Sequence, residues 1–286
     1  METRFIVFAI FSNLLFGLNF VVSKIGVATF PPFLFCGMRF GILIPFIFLF
    51  PRPNIAFHNL FILAILIGCV HLAGVNLALH LGISSNVAVL VNQSGVFLTL
   101  LLSIFFLNDR LTKQKLLGLS IGLIGIYFIC KHDTFATNLN GFIALFAAVL
   151  AFSISMIVIK KTKANAFHLI LWLSVLASPI LFLLSFFFEN NQWEILQNAD
   201  LSAWSTVFFA GWGTMFMGAY LWLLVIKKYD LSIVLPYRLL IPLFGSFFAF
   251  IILDEHLTRN MWIGICLICL GLLITQKKNL RFRRQT

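Results

Sequence analysis

Two arginines stand inside apolar stretches of the chain, and they are the first candidates for chemistry. Arg39 lies shortly after the pair Pro31 and Pro32, and Arg238 follows Tyr237 in a later stretch. A guanidinium that faces a cavity would attract a substrate carboxylate, because arginine donates paired hydrogen bonds to carboxylates. A structural role, in which the guanidinium caps carbonyls of a neighbouring helix or reaches toward the interface, is equally open.

The surroundings of Arg238 favour a cavity. Pro236 and Pro242 stand on either side of it, and each proline interrupts the helical hydrogen-bond ladder and frees carbonyl groups. Binding sites of membrane transporters tend to be built at such discontinuous helices. We therefore predict that Arg238 and its neighbour Tyr237 face a substrate cavity.

Uncharged polar residues complete the candidate site. Asn92 and Gln93 form the most polar position in an otherwise apolar run, and Asn19 lies in the first apolar run of the chain. A hydrogen bond between helices is the plainer explanation for any one such residue. The candidate lining of the cavity is Asn19, Arg39, Asn92, Gln93, Tyr237 and Arg238.

Histidines in the apolar runs offer a route for coupling. Histidine changes its charge near neutral pH, so His71 or His80 could couple proton movement to transport. The alternative is a structural hydrogen bond between helices. Coupling to a proton or another ion is therefore left open.

The composition places these residues in a membrane. Of the 286 residues, 61% are apolar and only 10% are charged, and the mean hydropathy is +1.05. A soluble domain carries about 25% charged residues, so a water-facing surface is excluded. Large extramembrane domains are excluded too, because ten spans of about 20 residues leave only loops and termini.

Apolar runs between polar breaks predict an all-α membrane protein with ten transmembrane helices. Helices are preferred over a β-barrel, because the runs are continuous and lack the two-residue alternation of barrel strands. The predicted spans are residues 5–23, 33–50, 59–80, 86–107, 115–130, 141–159, 167–188, 203–226, 232–252 and 260–275.

The distribution of charge predicts that both termini are cytoplasmic. With that orientation, 15 of the 20 lysines and arginines fall on cytoplasmic segments, including a basic tail at 277–286. This excess follows the positive-inside rule and accounts for the net charge of +11 without nucleic acid as a partner. The odd number of cysteines, all in or next to apolar runs, argues against a disulfide framework.

An internal repeat divides the chain. Leu107–Thr112 is similar to Leu253–Thr258 at an offset of 146 residues, which predicts a first repeat at 1–132, with helices 1–5, and a second at 141–276, with helices 6–10. Since five is odd, the second repeat must be inverted, which is typical of transporters that work by alternating access. Glycines match at the same offset and should allow close helix packing; they are Gly118, Gly125, Gly264 and Gly271.

The ten predicted spans contain no aspartate or glutamate. Neither Arg39 nor Arg238 therefore has a carboxylate partner within them, and a carboxylate-based proton relay has no evident residue. An anionic or zwitterionic substrate would supply the missing counter-charge. A chloride ion, a lipid phosphate or a set of carbonyls would do so equally well.

Short motifs run through both halves: Phe16–Gly26, Met38–Phe40, Leu90–Gln93, the turn Asp109–Leu111 with its following glycines, and Pro242 leading to Asp254–Leu257. Together they resemble the EamA-domain family of the drug/metabolite transporter superfamily, closest to bacterial amino-acid-metabolite exporters of the O-acetylserine and cysteine type. The resemblance implies a ten-helix carrier of the bacterial inner membrane that exports small amino-acid-like metabolites through a central cavity. Arg238 is not part of this resemblance.

Other function classes are less well supported than a secondary transporter. The chain has no G-x-x-x-x-G-K-[ST] loop for nucleotide, and no catalytic motif or intramembrane acid that would indicate an enzyme. The Cys266-x-x-Cys269 pattern lacks a second ligand pair, so no metal or cofactor is expected. Efflux of multiple drugs or cationic compounds, and metabolite uptake, remain the alternatives. Two repeats in one chain suit a monomer without forbidding a homodimer.

Overall fold

The protein is all-helical over the residues that the structure describes. The computed structural model describes residues 1–106, 113–130, 138–162, 165–229, 237–238 and 240–276, and every regular element in these ranges is a helix. The predicted turn Asp109–Leu111 and the predicted basic tail at 277–286 lie outside the described residues.

The helices are numbered here in chain order. They are α1 (Thr3–Thr29), α2 (Pro32–Gly41), α3 (Phe57–Leu63, then π-helical Ala64–Leu72, then Ala73–His80), α4 (Ser85–Asn92), α5 (Ser94–Phe106), α6 (Lys113–Cys130), α7 (Leu139–Lys161), α8 (Ala166–Phe188), α9 (Gln192–Asn198), α10 (Leu201–Phe208, then π-helical Phe209–Gly218, then Ala219–Lys228), α11 (Leu240–Leu253) and α12 (Arg259–Gln276).

Five of the described helices are long and apolar enough to cross a membrane: α1, α3, α7, α8 and α10. Shorter apolar stretches lie in α2, α6, α11 and α12. A helix suits lipid because it satisfies its backbone hydrogen bonds internally. The prediction of an all-α membrane protein is confirmed, whereas ten crossings arranged as two inverted repeats stay a prediction.

Helix α1 is longer than predicted and includes Lys24. The helix continues to Thr29, and the Lys24 ammonium donates hydrogen bonds to the carbonyl oxygens of Leu79 and Ile83, at 2.7 and 3.1 Å. These carbonyls stand at the C-terminal end of α3, where the helix dipole favours a cation. The predicted end of the first span at residue 23 was therefore too early, and Lys24 lies within the helix.

Two of the predicted spans are interrupted. The span at 33–50 forms α2 and a separate 3-10 helix, Ile44–Leu49, with Pro45 in its first turn, where the missing N–H of proline is tolerated. The span at 86–107 forms α4 and α5, which are joined by the single residue Gln93. Both interruptions create helix ends inside a predicted membrane segment.

The span predicted at 232–252 also differs. Its described helix begins at Leu240, and Tyr237 and Arg238 form a 3-10 turn ahead of it. Arg238 was therefore wrongly predicted to lie within a helix. Residues 230–236 and 239, including Pro236, lie outside the described residues.

Helices α3 and α10 each contain a π-helical stretch. Ala64–Leu72 in α3 and Phe209–Gly218 in α10 overlap almost completely when one is shifted by the 146-residue offset of the repeat. These two stretches, of a kind of helix that is rare, therefore occur at the same offset as the similar sequence motifs.

Helices α6 and α12 pack through the matching glycines. A Cβ atom added to Gly125 would lie 2.9 Å from the carbonyl oxygen of Gly264, and one added to Gly271 would lie 2.5 Å from that of Gly118. Any side chain at these positions would therefore push the helices apart, which confirms the predicted packing role. The two pairs run in opposite chain directions, so α6 and α12 are antiparallel.

Two glutamates join the first half of the chain to the second. The carboxylate of Glu189, just after α8, accepts hydrogen bonds from the amides of Phe33 and Leu34 at the start of α2, at 2.7 and 3.0 Å. Glu255, after α11, accepts bonds from the first two amides of α4, both at 3.0 Å. The start of a helix favours an anion because its amides are free and its dipole end is positive. Each glutamate therefore ties a second-half helix end to a first-half helix start.

These contacts predict a loss of stability when either carboxylate is neutralised. In Glu189→Gln or Glu255→Gln, a charge and one strong acceptor are lost, which costs about 1 kcal/mol and lowers the melting temperature by about 2–4 °C. The measurement is thermal unfolding of the purified protein in detergent. Glu194→Gln, at an exposed position of α9, is the matched control. A decrease no larger than that of the control would contradict the joining role.

Candidate functional site

Arg39 is buried with part of its guanidinium unpaired. It lies in the last turn of α2, and only 1% of its surface is exposed. Its Nη2 donates to the Oδ1 of Asn19 on α1 at 3.2 Å, whereas its Nε and Nη1 have no partner in the described part of the chain. A buried cation with free donors is costly unless it is paired. An anion that reached these two nitrogens would remove that cost.

Neighbouring helices hold α2 and thereby position Arg39. Pro32 begins the helix, where a missing N–H costs nothing, and Ser178 on α8 donates to the carbonyl oxygen of Gly37 at 2.9 Å. On the α10 side, a Cβ added to Gly211 would lie 2.8 Å from the carbonyl oxygen of Arg39. Glycine therefore lets the π-helical stretch of α10 approach the arginine backbone closely.

Aromatic rings surround the guanidinium of Arg238. Its central carbon lies 4.4 Å from the ring centroid of Trp222 on α10 and 5.0 Å from that of Phe16 on α1. Cation–π contacts stabilise the charge without using the N–H donors. Gln93, between α4 and α5, donates from Nε2 to the carbonyl oxygen of Arg238 at 2.8 Å. This bond fixes the turn ahead of α11.

Helix α1 brings the two arginines onto one face. Phe16 and Asn19 are three residues apart and are therefore neighbours on the helix surface. Because Phe16 contacts Arg238 and Asn19 binds Arg39, the two guanidinium groups lie along the same face of α1. The part of the interior along this face of α1 therefore holds both arginines.

The other two predicted site residues lie close to this region. The side-chain oxygen of Asn92 is buried without a partner among the described residues. At the repeat offset Asn92 is equivalent to Arg238, so both halves place a polar side chain beside a helix interruption. Tyr237 packs against the cluster that contains Phe5 and Trp222, and so shares the tryptophan with Arg238. Whether these residues line a substrate cavity stays a prediction.

Two aromatic residues of this region were not among the predicted site residues. Trp222 is only 5% exposed, because it packs against Arg238 and a small aromatic cluster. Phe16 could have been found from its spacing to Asn19, which puts both on one face of a helix. Nothing in the sequence around Trp222 distinguishes it from the other tryptophans.

The polar residues of α3 form bonds between helices. The Nδ1 atoms of His71 and His80 lie 3.0 and 2.9 Å from the carbonyl oxygens of Ala148 and Val27. Because a carbonyl can only accept, Nδ1 carries the hydrogen in both rings. These contacts agree with the structural interpretation of the histidines, in which they join α3 to α7 and α1.

The described carboxylates lie away from the two arginines. Glu189 and Glu255 bind helix starts, and Asp200 accepts a bond from the amide of Ala203 at 2.8 Å at the start of α10. Neither Arg39 nor Arg238 forms an ion pair within the described part of the chain. None of the described carboxylates therefore neutralises the charge of either arginine.

Glu2 is paired with basic residues at the surface. Its carboxylate pairs with Lys228 at the end of α10 and with Arg4, whose Nε lies 2.8 Å away. The hydrogen bond from Lys228, together with the charge of Arg4, holds the pKa of the Glu2 carboxyl below its usual value. This exposed contact joins the start of α1 to α10 and takes no part in the arginine region.

A surface groove of about 380 Å³ lies beside α9 and contains none of the predicted site residues. It is lined by Thr29, Asn190, Asn191, Glu194, Ile195, Asn198 and Ala199. With a single carboxylate and no arginine, it lacks the chemistry of the interior region.

Known proteins are similar to this chain over most of its length. A "Probable amino-acid metabolite efflux pump" of Escherichia coli is 27% identical over 94% of this chain and 93% of its own length. A protein of the same name from Salmonella typhimurium is 28% identical over 90% of each chain. An "Uncharacterized transporter YoaV" of Bacillus subtilis is 26% identical over 91% of this chain and 92% of its own.

The fold is shared with a solved structure. A chain described as "Crystal structure of protein" is 16% identical, covers all of both chains and superimposes with a TM-score of 0.70. The family comparison matches residues 3–131 and 139–276, one match in each predicted repeat. The chain therefore belongs to the EamA-like transporter family and is a membrane transport protein, not an enzyme.

Proposed function

We propose that this protein is a secondary transporter of the bacterial inner membrane that exports small amino-acid-like metabolites by alternating access. The observation that carries the proposal is the buried guanidinium of Arg39, whose Nε and Nη1 are unpaired in the described part of the chain. A substrate carboxylate would take these two donors and pair the charge. The name shared by two relatives, amino-acid metabolite efflux pump, supports both the direction and the substrate class.

The proposed architecture is ten transmembrane helices in two inverted five-helix repeats. Three observations support it: the family matches once in each half, the π-helical stretches of α3 and α10 are equivalent, and α6 packs antiparallel to α12 through reciprocal glycines. Inverted repeats let the halves exchange conformations and so open a central site to each side in turn. Asn19, Arg39, Asn92, Gln93, Tyr237 and Arg238 are the proposed lining of that site.

The proposed orientation places both termini in the cytoplasm, as the excess of basic residues favours. The chain then works as a monomer or a homodimer, and the coupling ion is open. In this orientation Asn190, between α8 and α9, is extracellular, and Thr162, after α7, is cytoplasmic.

Cysteine labelling tests this orientation. In intact cells, a membrane-impermeant thiol reagent should label Asn190→Cys, whereas Thr162→Cys should be labelled only after the membrane is permeabilised. The unmodified chain gives the background from its own cysteines. If only Thr162→Cys were labelled in intact cells, the opposite orientation, with both termini outside, would be indicated.

Counterflow in proteoliposomes tests the function. We expect saturable exchange of at least one of cysteine, O-acetylserine, threonine and glutamate, and none of a cationic dye. Arg39→Gln should lower this exchange at least about 10-fold, because the carboxylate loses a charged partner. Arg238→Ala should lower the exchange of glutamate, whose second carboxylate loses its partner, with protein level and membrane insertion unchanged.

The matched control is Arg52→Gln, since Arg52 is exposed and its guanidinium contacts the carbonyl oxygen of Ile55, at 3.4 Å, and the ring of Phe57, at 5.4 Å, away from the predicted site residues. Its exchange should equal that of the unmodified protein. Exchange of the dye alone would move the assignment to efflux of cationic compounds. Undiminished exchange in a folded Arg39→Gln variant would remove Arg39 from the site.

A further inference from the structure

We infer that the two arginines on one face of α1 select a substrate with two negative groups, a small dicarboxylate, over a zwitterionic amino acid. The inference rests on the proposed function, because it assigns the charge of the substrate to the same site. It depends on Arg238, which lies outside the sequence motifs that resemble the family.

The first step is the position of the two guanidinium groups. Asn19 accepts a hydrogen bond from Arg39, and the ring of Phe16 contacts the guanidinium of Arg238. Asn19 and Phe16 are about one helical turn apart on α1. A small molecule bound against this face can therefore contact both groups. Gln93 keeps the second group in place through the Arg238 carbonyl oxygen.

The second step is that the described residues leave donors of both guanidinium groups without an acceptor. Two nitrogens of Arg39 are unpaired in the described part of the chain. The rings of Trp222 and Phe16 stabilise the charge of Arg238 but accept no conventional hydrogen bond from it. Among the described residues, no acceptor forms a hydrogen bond with the guanidinium of Arg238, so its N–H groups are not used by the part of the chain that the structure describes.

The third step is the balance of charge. The region holds two positive charges and none of the described carboxylates. A zwitterion brings one carboxylate for one arginine, but its ammonium group would then stand near the other arginine and be repelled. A dicarboxylate pairs both guanidinium groups. An acidic amino acid with an acylated amine has this charge and remains of amino-acid size.

N-acetylglutamate and N-acetylglutamine have nearly the same shape and differ in charge, and glutamine adds a zwitterion for comparison. N-acetylglutamate is a dianion at neutral pH, N-acetylglutamine is a monoanion and glutamine is a zwitterion. Each is added to the purified full-length protein in detergent, and the rise in melting temperature reports binding, because a ligand of the folded state stabilises it. Counterflow of the same ligands in proteoliposomes gives their relative exchange rates.

We expect N-acetylglutamate to bind at least about 10-fold more tightly than glutamine, with N-acetylglutamine between them. Arg238→Gln should remove the preference for the dianion. Its affinity for N-acetylglutamine should stay within about threefold of that of the unmodified protein. Arg39→Gln should weaken both anions, and Arg52→Gln should change nothing. The conservative variant Arg238→Lys, which keeps the charge, should retain part of the preference.

Several outcomes would overturn the inference. Glutamine binding as tightly as N-acetylglutamate would do so, as would an equal loss for all three ligands in Arg238→Gln, which would indicate a structural role. The absence of stabilisation by N-acetylglutamate would do so as well. If amino acids still exchanged in a manner sensitive to Arg39→Gln, the proposed function would stand without the charge preference. If neither panel exchanged, both would fail.

Discussion

The arrangement of the interior depends on the burial of Arg39 among apolar helices without a carboxylate beside it. Taking a guanidinium out of water costs several kcal/mol, and a single amide oxygen from Asn19 returns only part of that. The surrounding helices must therefore hold the group firmly, which explains why α8, α10 and the amide-binding Glu189 all act on α2. An interior that keeps an underpaired cation in place favours anions before any substrate has entered.

Opposite charges are separated along the helices. Glu189, Glu255 and Asp200 accept hydrogen bonds from free amides at helix starts, whereas Arg39 and Arg238 have no carboxylate partner among the described residues. If Glu255 stood next to Arg238, the two would neutralise each other and leave nothing for a substrate. The free amides at helix starts pair these carboxylates, so the carboxylates do not neutralise the two buried arginines.

Much of this could be predicted from residue types and spacing. The all-α membrane fold follows from continuous apolar runs, and the packing of Gly125 follows from its match with Gly271. Asn19 and Arg39 were both among the predicted site residues, but the hydrogen bond between them was not predicted. What could not be predicted depends on contacts between distant segments: the burial of Trp222, the bond from Gln93 to a backbone carbonyl, and the amides that bind Glu255. None of these leaves a local pattern in the chain, because each partner lies in a different helix.

Asn92 and Arg238 stand at equivalent positions of the proposed repeat but differ in chemistry. Both positions adjoin a helix interruption, yet one carries an amide and the other a guanidinium. If the halves exchange conformations, each backbone adopts the conformation of the other half, whereas the side chains of the two halves remain different. A substrate held between Arg39 of the first half and Arg238 of the second would then be bound by both. In the proposed alternating access, movement of one half against the other would lengthen one of these contacts and so link release of the anion to reorientation of the carrier.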